Sequence, residues 1–199
     1  MALKDLPPDN VKELTTLNVK CTDSRCEDDL HCYRKSRNMK IADQGKCRKC
    51  GIDLIDWKRV HQREVKDVEH SFTMLKTELI RHVFWHTPID QRAINHARRK
   101  GRQKLREAAQ NRLWKYVANE ENFREGRQTP RQGNIIYYAQ HATACCCRRC
   151  MEYWHDIPVG IKLSQNQVEY FLELIMLYVK DRLSDLKEES VHVPALRNS

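Results

Sequence analysis

The sequence predicts a mainly α-helical protein in which a loop-rich, zinc-stapled N-terminal module packs on a helical domain. Two observations support this prediction. Apolar residues recur at steps of three and four along two long segments, as in amphipathic helices, and the nine cysteines fall into two groups, within residues 21–50 and 145–150. A chain of 199 residues is long enough for one domain with its own core and a small metal-bound appendage.

Composition divides the chain into four segments. Residues 1–20 form a lead-in segment, residues 21–56 a zinc-ribbon-like module, residues 57–186 a helical domain that contains a second Cys/His metal site, and residues 187–199 a flexible tail. The module lacks the helical periodicity that marks the domain. Metal ligation would therefore replace part of the core that so short a loop-rich segment cannot form.

The N-terminal module carries six possible metal ligands: Cys21, Cys26, His31, Cys32, Cys47 and Cys50. The last two stand in a Cys-x-x-Cys-Gly sequence typical of a zinc knuckle, in which a turn aims both thiolates at one ion and the glycine lets backbone amides approach the sulfurs. The other ligands remain open, because Cys26 could pair with Cys21 or with Cys32. A set that includes His31 is the third alternative, and only four groups can bind one zinc ion.

Two amphipathic helices are predicted from apolar spacing. The first covers residues 62–85, and the other follows the capping box Ser164-Gln165-Asn166-Gln167 along the apolar stripe of residues 168–183. Residues 119–134 have the composition of a linker or functional loop. Residues 135–138 are compatible with either a short strand or the first turn of a helix.

A third helix lies between these two and is strongly basic. Its start is marked by Thr87, which can cap it, by Pro88, which suits the first turn, and by Asp90, which the helix dipole favours. The helix extends to about Val117. Glycine is unfavourable inside a helix, so Gly101 marks a bend or a close contact.

The charge of the chain favours an anionic partner. The sequence has 36 Lys plus Arg against 27 Asp plus Glu, a formal net charge of +9. Residues 92–115 contain nine basic residues and a single acidic one, Glu107. We expect this helix to bind the phosphates of DNA or RNA, with steep salt dependence because each contact releases counterions. The predicted contacts are Arg98, Arg99, Lys100, Arg102, Lys104 and Arg106.

The second cysteine group lies between two histidines. Cys147 and Cys150 form a Cys-x-x-Cys pair, and with His141 and His155 on either side they can be drawn as one tetrahedral zinc site. Cys145 and Cys146 are then surplus, although Cys146 stays a candidate ligand.

Three interpretations of this second group remain open. A structural zinc would tie the loop around residues 128–141 to the start of the closing helix. A catalytic zinc would have three protein ligands and a water in the fourth position, with His155 or Glu152 as the base. An iron–sulfur cluster on all four cysteines is geometrically awkward, because three of them are adjacent, and the two histidines favour zinc.

Several short motifs accompany the second group. They are Gln128-Thr129-Pro130, Gly133, Gln140-His141-Ala142-Thr143-Ala144, Cys146-Cys147-Arg148, Cys150, Trp154-His155 and Ile157-Pro158. This block resembles a bacterial family catalogued only as a domain of unknown function, and residues 21–32 are similar to the opening of that family. Cys145 departs from the family pattern, which tends to have threonine there, so the resemblance implies that Cys145 is not a required ligand. It implies no established activity.

These features lead to a main hypothesis and an alternative. The main hypothesis is a zinc-binding protein that binds nucleic acid through residues 92–115. The alternative is a zinc-dependent hydrolase acting on nucleic acid or a nucleotide, with its site around residues 127–155. An adaptor that binds other proteins through residues 168–183 is a third hypothesis.

The sequence shows neither a signal peptide nor a membrane span. The first residues lack the apolar segment of a signal peptide, and no apolar run approaches the roughly 20 residues of a membrane helix. We therefore expect a cytoplasmic protein without a membrane partner, in a compartment that keeps thiols reduced and available to metals.

Overall fold

The computed structural model describes residues 19–36, 38–123 and 126–194. Almost all of the predicted lead-in segment, and residues 195–199 of the predicted tail, lie outside the described residues. Within them the protein has seven α-helices, three short 3-10 helices and no β-strand. The prediction of a mainly α-helical protein is confirmed.

The helices are joined by connections of different lengths. The helices are α1 (Trp57–Val60), α2 (Val68–Leu75), α3 (Leu79–His86), α4 (Gln91–Tyr116), α5 (Ile135–Ala142), α6 (Arg148–His155) and α7 (Gln165–Arg182). The longest connection, residues 117–134, lies between α4 and α5. The part of the N-terminal module that is described contains loops and two 3-10 helices, Cys26–Asp28 and Ile41–Asp43. The third 3-10 helix, Val65–Asp67, leads into α2.

The prediction of one continuous helix over residues 62–85 is wrong, because the chain breaks between α2 and α3. At the break, the amide of His31 donates to the carbonyl of Thr77 at 2.8 Å, and the amide of Leu79 donates to the carbonyl of His31 at 2.9 Å. A continuous helix would use these backbone groups internally. The N-terminal module therefore docks on the domain through backbone pairing at the break.

Helix α4 begins one turn later than the cap predicted from Thr87. The cap is Asp90, whose carboxylate accepts the amide of Ala93 at 2.9 Å, whereas the Thr87 hydroxyl donates to the carbonyl of Val83 at the end of α3. Gly101 interrupts the helix with a φ of 70°. The C-terminal segment crosses α4 there, and a Cβ on Gly101 would lie 2.4 Å from the carbonyl carbon of Glu189. The bend and the close contact predicted for Gly101 are both present.

Helix α7 lies at the centre of the core and contacts α2, α4 and α5. Its predicted capping box is present, since the Ser164 hydroxyl accepts the amide of Gln167 and the Gln167 side chain accepts the amide of Ser164. The apolar residues predicted as a stripe on α7 are buried within the chain. The surface that the adaptor hypothesis requires is therefore not exposed.

Residues 135–138 form the first turn of α5 and not a strand. Asn134 caps this helix by accepting the amide of Ile136 at 3.0 Å. Helix α3 packs against α5. Among the described residues, no helix combines the length and apolar character that crossing a membrane requires.

Candidate metal centres and the adjoining pocket

Four side chains of the N-terminal module converge on one point. This first cluster consists of Cys26, His31, Cys47 and Cys50, whose ligand atoms all lie within 4.8 Å of one another. The sulfurs of Cys26 and Cys47 are 3.7 Å apart, and the Cys50 sulfur lies 3.5 Å from Nδ1 of His31. Sulfur ligands of a tetrahedral zinc ion lie about 3.8 Å apart, because each Zn–S bond is about 2.3 Å long. The first cluster therefore has the size and donor set of a single tetrahedral metal site.

Two tight turns build the first cluster. The backbone of residues 25–30 closes on itself through hydrogen bonds of 2.7 and 3.0 Å, which brings His31 back beside the 3-10 helix that starts at Cys26. In the knuckle, the amide of Gly51 donates to the carbonyl of Cys47 at 2.8 Å. Gly51 has a φ of 77°, in the left-handed region that glycine adopts without steric cost.

Cys47 favours its ionised form. Burial opposes ionisation of this thiol, but hydrogen bonds from backbone amides, two of them in the knuckle turn, and from the His31 side chain outweigh burial and lower the pKa to about 6. A thiolate is the form of cysteine that binds a metal ion. The knuckle turn thus prepares Cys47 as a ligand at neutral pH.

The other two N-terminal cysteines lie outside the first cluster. Cys32 is fully buried, and its thiol donates to the carbonyl oxygen of Cys21 at 3.4 Å. Burial raises the pKa of Cys32 to about 11, which favours the neutral thiol. Cys21 lines a cavity together with Cys150 of the helical domain, and its interaction with Cys150 raises the pKa of the Cys21 thiol. Of the alternatives that spacing left open, the structure brings together the set that includes His31.

A second cluster forms where α6 begins. It consists of Cys146, Cys147 and Cys150, whose sulfurs lie within 4.8 Å of one another. Cys147 caps α6, and its carbonyl accepts the amide of Cys150 at 3.1 Å, so the first helical turn folds these two thiols toward each other. Three thiols at this spacing could hold one metal ion, and a tetrahedral site would then take a fourth donor.

A buried charge network supports the second cluster. Arg81 and Glu78 pair at 3.0 Å with side chains only 1% exposed. Arg81 also donates to the Cys150 sulfur at 3.3 Å and to the carbonyl of His141 at 2.6 Å. Hydrogen bonds from neighbouring thiols hold the pKa of Cys150 well below its ordinary value, and the Arg81 cation acts in the same direction. The network thus stabilises negative charge on the cluster.

The two histidines that flank the second cluster in the sequence face backbone carbonyls. Nε2 of His141 lies 3.0 Å from the carbonyl oxygen of Thr129, and its ring stacks on Phe84 with centroids 4.2 Å apart. Nε2 of His155 lies 3.1 Å from the carbonyl oxygen of Thr143. Each contact engages one ring nitrogen, Nε2, and does not involve the other, Nδ1. Among the described residues, neither histidine belongs to the group of ligand atoms that lie within 4.8 Å of one another at this cluster, so the tetrahedral set drawn from spacing is not assembled.

Cys145 also lies outside the second cluster. It is fully buried, and its sulfur is 3.2 Å from the hydroxyl of Thr143. Burial raises the pKa of this thiol to about 12, which favours the neutral form. The structure therefore does not bring together the four cysteines of the iron–sulfur interpretation.

A cavity of about 680 Å³, the basic pocket, opens beside the second cluster. It lies between the end of α4, the loop of residues 126–130 and the start of α6. No aspartate or glutamate from the described part of the chain lines it. The rings of Tyr116, Phe123, Tyr137 and Tyr153 contribute to its wall. Its charged lining consists of Arg34, Arg112, Arg127, Arg148 and Arg149.

The Gln-Thr-Pro motif and Gln140 orient one of these arginines. The guanidinium of Arg112 lies between two rings, 4.4 Å from the centroid of Tyr116 and 4.3 Å from that of Tyr137. It donates to the side-chain oxygen of Gln140 at 2.6 Å and to the Thr129 hydroxyl at 3.3 Å. The polar loop before the second cluster thus holds a cationic side chain in a defined position on the pocket wall.

The fold, the clusters and the pocket can be compared with known proteins. Residues 69–180 match the model of a family described as a domain of unknown function, DUF4186. The chain belongs to this family. The matched range holds the second cluster and much of the lining of the basic pocket, and it leaves out Cys21 and the whole first cluster. The resemblance to a domain of unknown function, seen in the short motifs, is confirmed. No solved structure matches the chain.

Four arginines predicted to contact nucleic acid have partners within this DUF4186 protein. Arg98 pairs with Asp185 at 2.8 Å, and Arg102 pairs with Glu188 at 3.0 Å. The other two also contact nearby elements: Arg99 donates to the carbonyls of Val193 and Pro194, and Arg106 pairs with Glu169 and Glu173 of α7. Of the two predicted lysine contacts, Lys104 is exposed and Lys100 is half-buried.

Sequence reasoning missed Arg81, Cys21 at the second cluster, and the basic pocket. The sequence does contain a signal for the ion pair of Arg81 with Glu78. The two residues stand three positions apart inside an apolar segment, and charged side chains are buried in proteins mainly when they pair with an opposite charge. No pattern in the sequence indicates that Cys21 lies at the second cluster. Its position there depends on a contact between segments that are more than a hundred residues apart in the chain.

Proposed function

We propose that this protein binds zinc at its cysteine clusters and binds nucleic acid in the basic pocket. The observation that carries the proposal is the composition of that pocket, whose described lining combines five arginines and four aromatic rings with no carboxylate. The volume of about 680 Å³ lies within the range of pockets that hold a small molecule. It suits one nucleotide unit of a strand.

The donor set supports zinc. Thiolates select zinc, copper(I) or iron–sulfur clusters, and imidazole suits zinc. The first cluster offers three sulfurs and one nitrogen, with the Cys26 and Cys47 sulfurs 3.7 Å apart, which fits one tetrahedral zinc ion with Zn–S bonds of about 2.3 Å.

The lining of the pocket supports a nucleic-acid ligand. Arginine binds phosphate through two parallel N–H donors, and aromatic rings stack on bases of any sequence. Arg127 and Arg149 are exposed at the pocket. The middle of α4 is the weaker candidate because its arginines are already paired with acidic groups and carbonyls, although the last turns of α4 supply Arg112 and Tyr116 to the pocket.

Binding of labelled single-stranded RNA and DNA, measured by fluorescence anisotropy over a range of salt concentrations, tests the proposal. We expect the double variant Arg127→Ala/Arg149→Ala to bind more weakly and to lower the salt slope by about 1.4, the value for two lost phosphate contacts. The matched control Arg98→Ala/Arg99→Ala removes the same charge from the middle of α4 and should bind like the wild type. Absence of binding at low salt would end the proposal. Loss of binding in the control alone would assign the site to α4.

The second cluster is accessible from the basic pocket, and this favours a second candidate function. Cys147 is half-buried and lines the cavity. A zinc ion with three thiolate ligands and a water in the fourth position could activate that water. The protein would then be a zinc-dependent hydrolase acting on nucleic acid or a nucleotide, and the identity of the fourth ligand separates the two candidates.

A further inference from the structure

The second cluster has a neighbour that comes from the opposite end of the chain. Cys21 lines the same cavity as the three clustered cysteines, and its interaction with Cys150 is the largest cause of the raised pKa of the Cys21 thiol. Cys21 is not among the sulfurs that all lie within 4.8 Å of one another. It approaches the cluster from the side of Cys150.

The segment that carries Cys21 is held in place. The carbonyl of Cys21 accepts the buried thiol of Cys32 at 3.4 Å, and the neighbouring Val19 is only 5% exposed. A turn closes here, in which the amide of Lys20 donates to the carboxylate of Asp23 at 2.8 Å. The turn and these buried contacts thus hold Cys21 beside the second cluster.

The other cysteines and histidines considered for this centre make different contacts. His141 and His155 each direct Nε2 to a backbone carbonyl at 3.0 and 3.1 Å. Cys145 contacts the hydroxyl of Thr143, and Cys32 contacts the Cys21 carbonyl. Of these side chains, Cys21 is the one that lines a common cavity with all three cluster cysteines.

We propose that Cys21 is the fourth ligand of the second centre, which is a closed site of four thiolates completed by Cys146, Cys147 and Cys150. A small movement of the Cys21 side chain on metal binding would bring its sulfur to the spacing of the other three. The proposal rests on the metal binding proposed above and goes further by naming a ligand that lies outside the residues matched by the family.

The charge around the centre supports four thiolates. A zinc ion with four thiolate ligands carries two net negative charges, which are costly to bury without compensation. The guanidinium of Arg81 lies 3.3 Å from the Cys150 sulfur and supplies a cation and a hydrogen bond to the ligand shell. A closed shell leaves no position for water, so the ligand in the basic pocket would meet arginines and rings and not the metal.

X-ray absorption at the zinc edge of the full-length protein tests the proposal. We expect two zinc ions per chain, one with three sulfurs and one nitrogen and the other with four sulfurs. In Cys21→Ser, one sulfur should be replaced by an oxygen or nitrogen, and competition with a chelator should show at least tenfold weaker binding at one of the two sites. Cys21→His, which restores a donor, should recover part of that affinity. The matched control Cys145→Ser changes a buried thiol beside the cluster and should keep both zinc ions.

The outcomes separate this proposal from the proposed function. Wild-type protein that binds zinc at neither cluster would overturn both. Two zinc ions whose affinities and sulfur count stay unchanged in Cys21→Ser would overturn the fourth ligand alone. If Cys21→Ser fails to fold, the sulfur count of the wild type still decides, because a three-thiolate second centre contributes one sulfur fewer.

Discussion

Arg81 is a fully buried guanidinium that joins the second cluster to Glu78 and to helix α5. It pairs with Glu78 at 3.0 Å and donates to the Cys150 sulfur and the His141 carbonyl. Trp154 also donates to the Glu78 carboxylate. Because both charges have partners, the burial cost of each is offset, and removal of one partner leaves the other uncompensated.

We expect Arg81→Met to lower the free energy of unfolding by about 3–5 kcal/mol, the usual cost of breaking a buried ion pair. The double variant Glu78→Gln/Arg81→Met removes both charges and should lie closer to the wild type than the sum of the single variants. Urea unfolding of the wild type, both single variants and the double variant measures the coupling. Additive losses would contradict the network.

At the scale of elements, Gly101 allows α4 and the C-terminal segment to cross. Its φ of 70° lies in the left-handed region, and a Cβ there would lie 2.4 Å from the backbone of Glu189. On each side of the crossing, the amide of Arg102 donates to the carbonyl of Lys187 and the amide of Val191 donates to the carbonyl of Arg98, both at 2.9 Å. These bonds tie residues of the predicted tail to α4.

We expect Gly101→Ala to destabilise the protein by more than about 1 kcal/mol, although alanine is normally the better helix former. Thermal unfolding measures the loss, and limited proteolysis should show earlier cleavage near residues 186–194. Gly160→Ala is the matched control, because Gly160 has a φ of 83° and open space around its Cβ position. Gly160→Ala introduces the backbone strain without the steric clash. Equal losses of stability in the two variants would therefore show that the clash at the crossing adds nothing to the effect of Gly101→Ala.

Local sequence patterns predicted the helices well, but they predicted poorly which distant groups the helices and side chains contact. The spacing of apolar residues and the capping box identified α7, and the low helix propensity of Gly101 identified the bend in α4. These signals come from residues that are neighbours in the sequence. The break between α2 and α3 depends on backbone pairing with His31. Spacing alone likewise made His141 and His155 resemble ligands, although the fold leaves both rings outside the group of ligand atoms within 4.8 Å of one another.

At the scale of the whole molecule, the N-terminal module and the helical domain share one core. Tyr33 packs edge-on against Trp57 and Trp154, with centroids 5.8 Å away in each case, and the two tryptophan rings lie 5.1 Å from each other. Trp154 also donates to Glu78 in the network of Arg81. This aromatic contact joins the part of the chain that holds the first cluster to the helix that holds Cys150 of the second cluster.

Two buried histidines should make the stability of the helical core depend on pH. Burial lowers the pKa of His141 to about 4 and that of His155 to about 3, from an ordinary value of 6.5. The unfolded chain therefore binds these protons at a higher pH than the folded protein does. The stability from each histidine is complete above about pH 6.5 and is lost as pH falls through 4 for His141 and 3 for His155, on the order of 3 kcal/mol for His141 and roughly 5 kcal/mol for His155.

Urea unfolding at several pH values, with chelator present so that metal release does not contribute, should show the free energy of unfolding falling steadily from pH 6.5 to pH 4. The exposed His86 provides the control, since His86→Gln should leave the slope of this fall unchanged. A free energy that stays constant over the same range would mean that both rings take up protons at the same pH in the folded protein as in the unfolded chain. Burial would then not hold His141 and His155 in the neutral form.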